Sequence, residues 1–267
     1  MSAFGTLFRE MRQGKRLSQM DFALACEVSA KHISFLETGR SRPSKGMVLH
    51  LAQMLQADLA GTNRLLSAAG YSQVYSDQDL GAPGMAMIRE ALEHLLRSHL
   101  PYPAVVFDHE YYLVMANQAM QAMMARMVEL GAQFPPRPNF LLSVLDSNGI
   151  KPFVDDWENI ACHLLQRVYH EHLSGPFRDQ PNRLLEQALT VPGVPQDWKS
   201  HVVEHLDYPA IPFTLMLGEQ KLRIFSTIAT IGTPLDVTAQ NLRIEHFFPM
   251  DEGSKAYWRA PPKTISE

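Results

Sequence analysis

The chain has 267 residues, which exceeds the roughly 100 to 200 residues of a usual single domain, so we expect two domains. It is 46% hydrophobic and 19% charged, with 15 glycines and 18 prolines, and this balance excludes a collagen, a coiled coil and a largely disordered chain. No apolar run approaches the roughly 18 residues of a membrane span, and no signal-peptide pattern opens the chain. We therefore expect a cytoplasmic protein.

The two cysteines, Cys26 and Cys162, form neither a CxxC pair nor a disulfide framework. We interpret both as small buried hydrophobic residues in a reducing compartment, with a redox switch as the alternative.

The charge is distributed unevenly along the chain. Residues 1–76 carry nine basic and five acidic side chains, whereas the remainder carries 15 basic and 23 acidic ones. Only the N-terminal part therefore has the charge that a polyanion attracts, although this excess is also ordinary for the surface of a small domain.

The first 70 residues have the pattern of five short helices. Apolar residues recur at helical spacing up to Gly14, where the first helix ends. Ser18, Ser29 and Ser44 stand where N-caps are expected for the second, third and fourth helices, and the fifth covers about Leu59 to Ala69. A tight turn between two short helices in so small a bundle predicts a helix-turn-helix.

The segment from Leu17 to Ser44 resembles the DNA-binding domain of XRE-class bacterial regulators, which are similar to the lambda repressor and Cro. The resemblance covers about the first 70 residues. It implies that the helix from Ser29 to Glu37 lies in the major groove, and that Arg12 forms an ion pair with Glu37. The residues that it assigns to DNA contact or support are Gln19, Ser29, Ala30, Lys31, His32, Phe35, Arg40, Ser41, Arg42 and Lys45.

The side-chain chemistry agrees with these positions. Lys31 can donate to guanine, and Phe35 can contact a thymine methyl group. Arg40, Arg42 and Lys45 would bind backbone phosphates without reading sequence. For His32 we expect a DNA contact, with a solvated helix residue as the alternative.

A polar segment, residues 71–84, is predicted to be a linker because it contains turn formers and lacks periodicity. We expect a second domain over residues 85–260 and a C-terminal tail over residues 261–267. The pattern predicts an α+β domain whose helices cover Met85–Leu96, Asn117–Leu130 and the region from Trp157, with strands at Ala104–Phe107, Tyr111–Met115, Ile211–Leu217, Leu222–Ile231 and Leu242–Phe248. The strands should form an antiparallel sheet, and the order of elements resembles a PAS-type sensor.

Methionines concentrate in and just before the helix that begins at Asn117. These flexible side chains can line a pocket that adapts to apolar guests, or they can form an ordinary core. The predicted pocket residues are Met115, Met120, Met123, Met124, Met127 and Phe225.

A second resemblance covers the rest of the chain. The segments that are similar to the MmyB-like ligand-binding domain are Pro101–Ala104, Asn139–Leu141, Asp156–Glu158, Gly232–Thr238, Arg243–Glu245 and Phe247–Pro249. This resemblance implies a PAS-like effector domain after an XRE-type head.

Few residues suggest catalysis. His201, Glu204 and His205 match the HxxEH pattern of a zinc protease, but Tyr208 and Pro209 soon interrupt that helix. No nucleophile elbow, phosphate-binding loop or dinucleotide fingerprint follows a predicted strand.

The sequence therefore predicts a homodimeric, non-enzymatic transcription regulator without a cofactor. The resemblance to its class, and no individual residue, implies a repressor. Its affinity for operator DNA would respond to an apolar or amphipathic effector, of which an acyl chain is one example. Two alternatives stay open: a DNA-associated zinc sensor or hydrolase that uses the HxxEH residues, and an adaptor whose acidic domain binds another protein.

Overall fold

The structure, a computed structural model, describes residues 2–174, 182–202 and 210–259. The chain divides into two compact units. The N-terminal unit comprises Met1–Gln78 with Glu171–Pro181 and Thr233–Gln240, and the C-terminal unit comprises Asp79–His170, Asn182–Gly232 and Asn241–Glu267.

Five helices begin the N-terminal unit, as predicted. They are α1 (Ala3–Gly14), α2 (Gln19–Ala25), α3 (Ala30–Thr38), α4 (Lys45–Met54) and α5 (Leu59–Ala68). Each is preceded by a serine or aspartate whose side chain accepts an amide of the first turn, which is the usual N-cap arrangement. Their apolar faces form one core around Phe8, Phe22 and Leu51, which are fully buried. The five-helix architecture is thus confirmed.

The remaining described elements are α6 to α12, six strands and two short 3-10 helices, Pro83–Met85 and Lys151–Phe153. The helices are α6 (Ala86–Ser98), α7 (Gln118–Glu129), α8 (Phe140–Leu145), α9 (Trp157–Ser174), α10 (Arg183–Leu189), α11 (Val237–Asn241) and α12 (Glu252–Arg259). The strands are β1 (Ala104–Phe107), β2 (Leu113–Ala116), β3 (Val154–Asp155), β4 (Phe213–Leu217), β5 (Gln220–Thr230) and β6 (Arg243–Pro249).

The six strands form one antiparallel sheet in the order β2-β1-β6-β5-β4-β3. The mixed helix-and-sheet fold of this part confirms the α+β prediction. β1 and β6 are neighbours although far apart in sequence, so the first hairpin and the last strands belong to the same sheet.

Side chains alternate across this sheet, and each face has its own core. Ala104 and Val106 of β1 pack with Leu92 and Leu96 of α6. Val105 and Phe107 point the other way, into a larger core shared with α7, α8 and α9. The sheet therefore lies between α6 on one face and, on the other, the larger core, to which α10 and α12 also contribute.

The segment predicted as a linker begins as an ordered part of the N-terminal unit. Asn63 is 4% exposed, and its side chain accepts the amides of Val74 and Tyr75 at 3.1 Å and donates to the Tyr75 carbonyl at 2.7 Å. Tyr71 Oη donates to the Pro43 carbonyl at 2.9 Å. Residues 71–75 are consequently held against the helical bundle.

Candidate DNA-binding surface and ligand cavity

The predicted recognition helix is α3, and local residues determine both of its ends. Ser29 Oγ accepts the amide of His32 at 3.1 Å and caps the first turn. At the other end Gly39 has φ of 76°, the left-handed conformation that favours glycine and stops a helix. Ile33 is fully buried, whereas Lys31 is exposed and His32 is half-buried. The first turn of α3 therefore presents polar side chains outside the core.

A buried carboxylate joins α3 to the two preceding helices. Glu37 is fully buried; its Oε1 lies 2.6 Å from Arg12 Nε, and its Oε2 lies 3.2 Å from Arg9 Nε and 2.7 Å from Gln19 Nε2. Burial by itself would raise the pKa of Glu37, but the hydrogen bonds from these three side chains lower it below its usual value. The ionised carboxylate thus holds α3 at a defined angle to α1 and α2.

Two cations flank the aromatic residue of α3. Lys31 Nζ lies 5.5 Å and Arg40 Cζ 5.8 Å from the centroid of the half-buried Phe35 ring, which is within the range of a cation–π contact. Of the predicted DNA-contacting residues, Ser29, Lys31, Arg40, Arg42 and Lys45 are exposed and Gln19, Ala30, His32, Phe35 and Ser41 are half-buried. None of the ten lies in the core.

Arg42 has an internal partner that the sequence did not suggest. Its Nη2 donates to the Ala69 carbonyl at 3.1 Å, at the C-terminal end of α5, and its Cζ lies 5.8 Å from the Tyr71 ring centroid. A basic side chain near the last carbonyls of a helix also interacts favourably with the helix dipole. Arg42 therefore stabilises the fold as well as adding positive charge to the surface.

The C-terminal unit contains a cavity of about 390 Å³ between α9 and the strands β5 and β6. Its size falls in the range of small-molecule sites, roughly 300 to 1,000 Å³. Phe140, Phe213 and Phe247 supply much of its apolar wall. The cavity is therefore large enough for a small organic ligand.

One wall of this cavity is polar. Arg167 Nη1 lies 3.6 Å from Glu245 Oε1, and Ser226 Oγ donates to the same oxygen at 2.5 Å. Arg167 Nε also donates to Tyr111 Oη at 3.1 Å. His163 lines the cavity one helical turn before Arg167; burial, with a smaller contribution from the arginine charge, lowers the pKa of His163 and favours its neutral form. The wall offers a half-buried guanidinium, a buried carboxylate and an imidazole.

Four of the predicted pocket methionines line a second, smaller cavity of about 40 Å³. They are Met120, Met123, Met124 and Met127. The small cavity is almost wholly apolar and shares Phe140, Phe213 and Phe247 with the larger one. The methionine cluster thus borders the large cavity through three shared aromatic rings.

The other two predicted pocket residues lie elsewhere. Val106 pairs with Met115, but Phe107 pairs with Leu113, so a bulge interrupts the alternation in β2. Leu113 consequently reaches the small cavity, whereas Met115 packs with the core on the α6 face. Phe225 is opposite Phe248 in the sheet, and their ring centroids are 5.3 Å apart.

Phe225 lies on the face of the sheet opposite the two cavities because side chains alternate along β5. Ile224 lines the small cavity and Ser226 the large one, so the residue between them points away from both. A sequence pattern can locate a strand, but which of its side chains face the cavity depends on the register of the strand with its neighbours.

The residues of the proposed zinc motif are only partly described. His201 Nε2 is 3.1 Å from Asn159 Oδ1, whereas Glu204 and His205 lie outside the described residues. Within the described ranges, no group of three or more His, Cys, Asp or Glu side chains is arranged to hold a metal ion.

The sequence analysis did not single out His163, Arg167, Ser226 or Glu245 as site residues. A signal was present for Arg167, which falls on the apolar face of α9, seven residues after the buried Ile160. Charged residues on an apolar face are uncommon unless paired, and they mark candidate binding sites. The partner residues come from distant strands, so their proximity required the fold.

Comparison with known families agrees with this architecture. A model of the helix-turn-helix domain matches residues 3–65, and a model of the MmyB-like transcription regulator ligand binding domain matches residues 88–260. No match was found among curated proteins. Within the described ranges, no helix combines the length and apolarity needed to cross a membrane. Because the second match spans well over half of its length, the chain belongs to the MmyB-like transcription regulator family.

Proposed function

We propose that this DNA-binding regulator is a repressor that reads operator DNA with α3 and responds to an amphipathic small molecule bound in the cavity of the C-terminal unit. The observation that carries the DNA part is the orientation of α3. Its apolar residues face the core, and the buried carboxylate of Glu37 fixes its direction, so Lys31 and its neighbours stay at the surface. Repression is the simplest outcome because occupancy of an operator is enough to block a promoter.

Lys31 is the residue we propose to read bases, and its charge also contributes to phosphate attraction. It lies in the exposed first turn of α3, the part of a recognition helix that faces base edges. Arg40 and Lys45 follow the helix, where we propose that they bind phosphates and set the register.

Binding to duplexes from the region upstream of its own gene tests this proposal. Lys31→Ala should reduce discrimination between the specific duplex and random DNA, by about 1 to 3 kcal/mol for a lost base contact. Lys221→Ala, which removes an exposed lysine of β5, is the matched control. Equal losses on both duplexes for Lys31→Ala would contradict base reading, and no retardation of any duplex at low salt would refute DNA binding.

We also propose a homodimer. A two-fold dimer of helix-turn-helix domains contacts half-sites one helical turn apart, about 34 to 36 Å, and thereby matches a palindromic operator. Light scattering of the purified protein and footprinting of the operator test this: a monomer that protects one half-site at saturation would contradict it.

The ligand proposal rests on the large cavity having one polar wall and one apolar wall. Arg167, Ser226 and Glu245 can exchange hydrogen bonds with a polar end group. The shared phenylalanine rings lead to the methionine-lined cavity, whose flexible walls can adjust to an apolar tail such as an acyl chain. This combination favours an amphipathic molecule over a purely apolar or highly charged one.

Native mass spectrometry of protein purified from its own host tests the ligand proposal. We expect an additional non-covalent mass, which Ile228→Trp should remove because Ile228 lines the cavity. Thr227→Trp is the matched control, since Thr227 is next to Ile228 in β5 and its side chain points to the opposite face of the sheet. Retention of the same mass by both variants would place the ligand elsewhere, and its absence from the wild-type protein at every growth stage would argue against this ligand class.

A further inference from the structure

The connection between β5 and β6 is built into the N-terminal unit. Residues Thr233–Gln240 belong to that unit, although both flanking strands belong to the C-terminal unit. We name residues 231–242 the β5–β6 connection. Its second half forms α11, and hydrogen bonds join this stretch to the first 78 residues.

Asp236 is the centre of these contacts. Asp236 is only 8% exposed, and both of its carboxylate oxygens accept hydrogen bonds. Oδ1 accepts the amides of Thr238 and Ala239 at 2.9 and 3.3 Å, which caps the first turn of α11. Oδ2 accepts the hydroxyl of Ser76 at 2.6 Å and the amide of Gln78 at 3.3 Å. One carboxylate therefore orders the connection and holds the middle of the predicted linker.

Backbone and side-chain bonds extend this contact on both sides. The amide of Val237 donates to the Ser76 carbonyl at 2.8 Å. Further along, Gln240 Oε1 accepts the amide of Leu59 at 2.9 Å. Leu59 is the first residue of α5, whose early amides have no partner within the helix. The connection thus completes the N-terminal end of a helix in the DNA-binding bundle.

The same connection continues into the strands that line the large cavity. Ser226 and Ile228 of β5 lie before it, and Glu245 and Phe247 of β6 lie after it. Asp236 follows Ile228 by eight positions and precedes Glu245 by nine. Because β5 and β6 are paired as far as Thr230 and Arg243, a displacement of these paired strand ends has to be accommodated within this short stretch of chain.

We propose that the β5–β6 connection transmits occupancy of the cavity to the DNA-binding bundle through Ser76, Asp236 and Gln240. In one state all of these hydrogen bonds are made and α5 is ordered from Leu59. In the other the connection separates from Ser76 and Leu59, and the start of α5 frays. A ligand shifts the balance if it binds one position of the paired β5 and β6 ends better than the other. This inference rests on the proposed ligand cavity, but its test requires neither the ligand nor DNA.

Hydrogen–deuterium exchange of the full-length chain tests the proposal, with Ile228→Trp as the probe. Ile228 lines the cavity and is 42% exposed, so the larger ring adds bulk at the open edge of the cavity. Peptides covering residues 59–69 and 72–78 report on the start of α5 and on the segment that Asp236 holds. We expect Ile228→Trp to change their exchange rates by about fivefold or more, the lower end of typical allosteric coupling. Thr227→Trp should leave both peptides unchanged.

The decisive comparison repeats this measurement after the connection has been weakened. Ser76→Ala together with Gln240→Ala removes two of the bonds to the bundle but leaves Asp236 to cap α11. In this background we expect Ile228→Trp to have no effect on residues 59–69. An equal effect with and without the two alanines would overturn the proposal, as would no effect in either background while Ile228→Trp changes exchange in β6. A coupled exchange response in a protein that binds no DNA would refute the proposed function but not this inference.

Discussion

Replacing Glu37 with alanine is expected to destabilise the N-terminal unit by about 3 to 5 kcal/mol, the usual cost of removing one partner of a buried ion pair. Arg12 is 5% exposed, and its guanidinium loses the carboxylate oxygens that lie 2.6 and 3.2 Å from Nε and Nη2. Gln19 and Arg9 lose one acceptor each. Because domains of this size are stable by only about 5 to 15 kcal/mol, this loss would leave the bundle marginally folded.

Urea unfolding followed by circular dichroism at 222 nm measures this loss. The three tryptophans, Trp157, Trp198 and Trp258, all belong to the C-terminal unit, so tryptophan fluorescence in the same experiment reports on the other part of the chain. Glu10→Ala, an exposed glutamate of α1, is the matched control. A loss below about 1 kcal/mol for Glu37→Ala would refute the reasoning, since that is the scale of an exposed ion pair.

The pH dependence of this pair has a defined sign. The pKa of Glu37 is lower in the folded protein than in the unfolded chain, so its ionisation stabilises the fold above the ordinary glutamate pKa. That contribution is lost as the pH falls through the lowered, folded-state pKa. Wild-type protein should therefore lose more stability than Glu37→Gln between neutral pH and acid, and parallel losses would contradict this assignment.

Three further predictions follow from individual contacts. Arg42→Ala should lower the slope of log affinity against log salt concentration by about one unit, and an unchanged slope would argue against a phosphate contact. The same change should destabilise the bundle by about 1 kcal/mol, because the bond to the Ala69 carbonyl is also lost. Burial, aided by two nearby carboxylates, raises the pKa of Cys162 to about 11. Thiol reagents should therefore label Cys162 only after unfolding, and rapid labelling of native protein would contradict this. The free energy of unfolding should also fall as the pH rises from about 9 towards 11. Asn63→Ala should expose residues 72–76 to limited proteolysis, since it removes the three bonds that hold Val74 and Tyr75; unchanged protection would show that other contacts suffice.

Local sequence patterns were sufficient to predict the helical bundle. Ser18, Ser29 and Ser44 act as N-caps, as their positions in the sequence suggest, and Gly39 ends α3. These features depend on a few neighbouring residues and on the spacing of apolar side chains, so they can be read without knowledge of the fold. The same holds for the antiparallel strands and for the methionine-rich helix α7.

The ligand cavity could not be predicted in this way, because its walls depend on strand register and on contacts between distant segments. Met115 and Phe225 have the right composition for a pocket, yet a bulge and strand alternation direct them to the other face of the sheet. Arg167 and Glu245 meet only when α9 packs on β6.

For this protein, the amino-acid sequence alone determined the helix-turn-helix and the order of its elements, since both arise from local periodicity and capping. Only the tertiary structure decided which polar groups share a cavity and that the β5–β6 connection joins the helical bundle, because those contacts unite residues from separate elements of the chain, as far apart in sequence as Ser76 and Asp236.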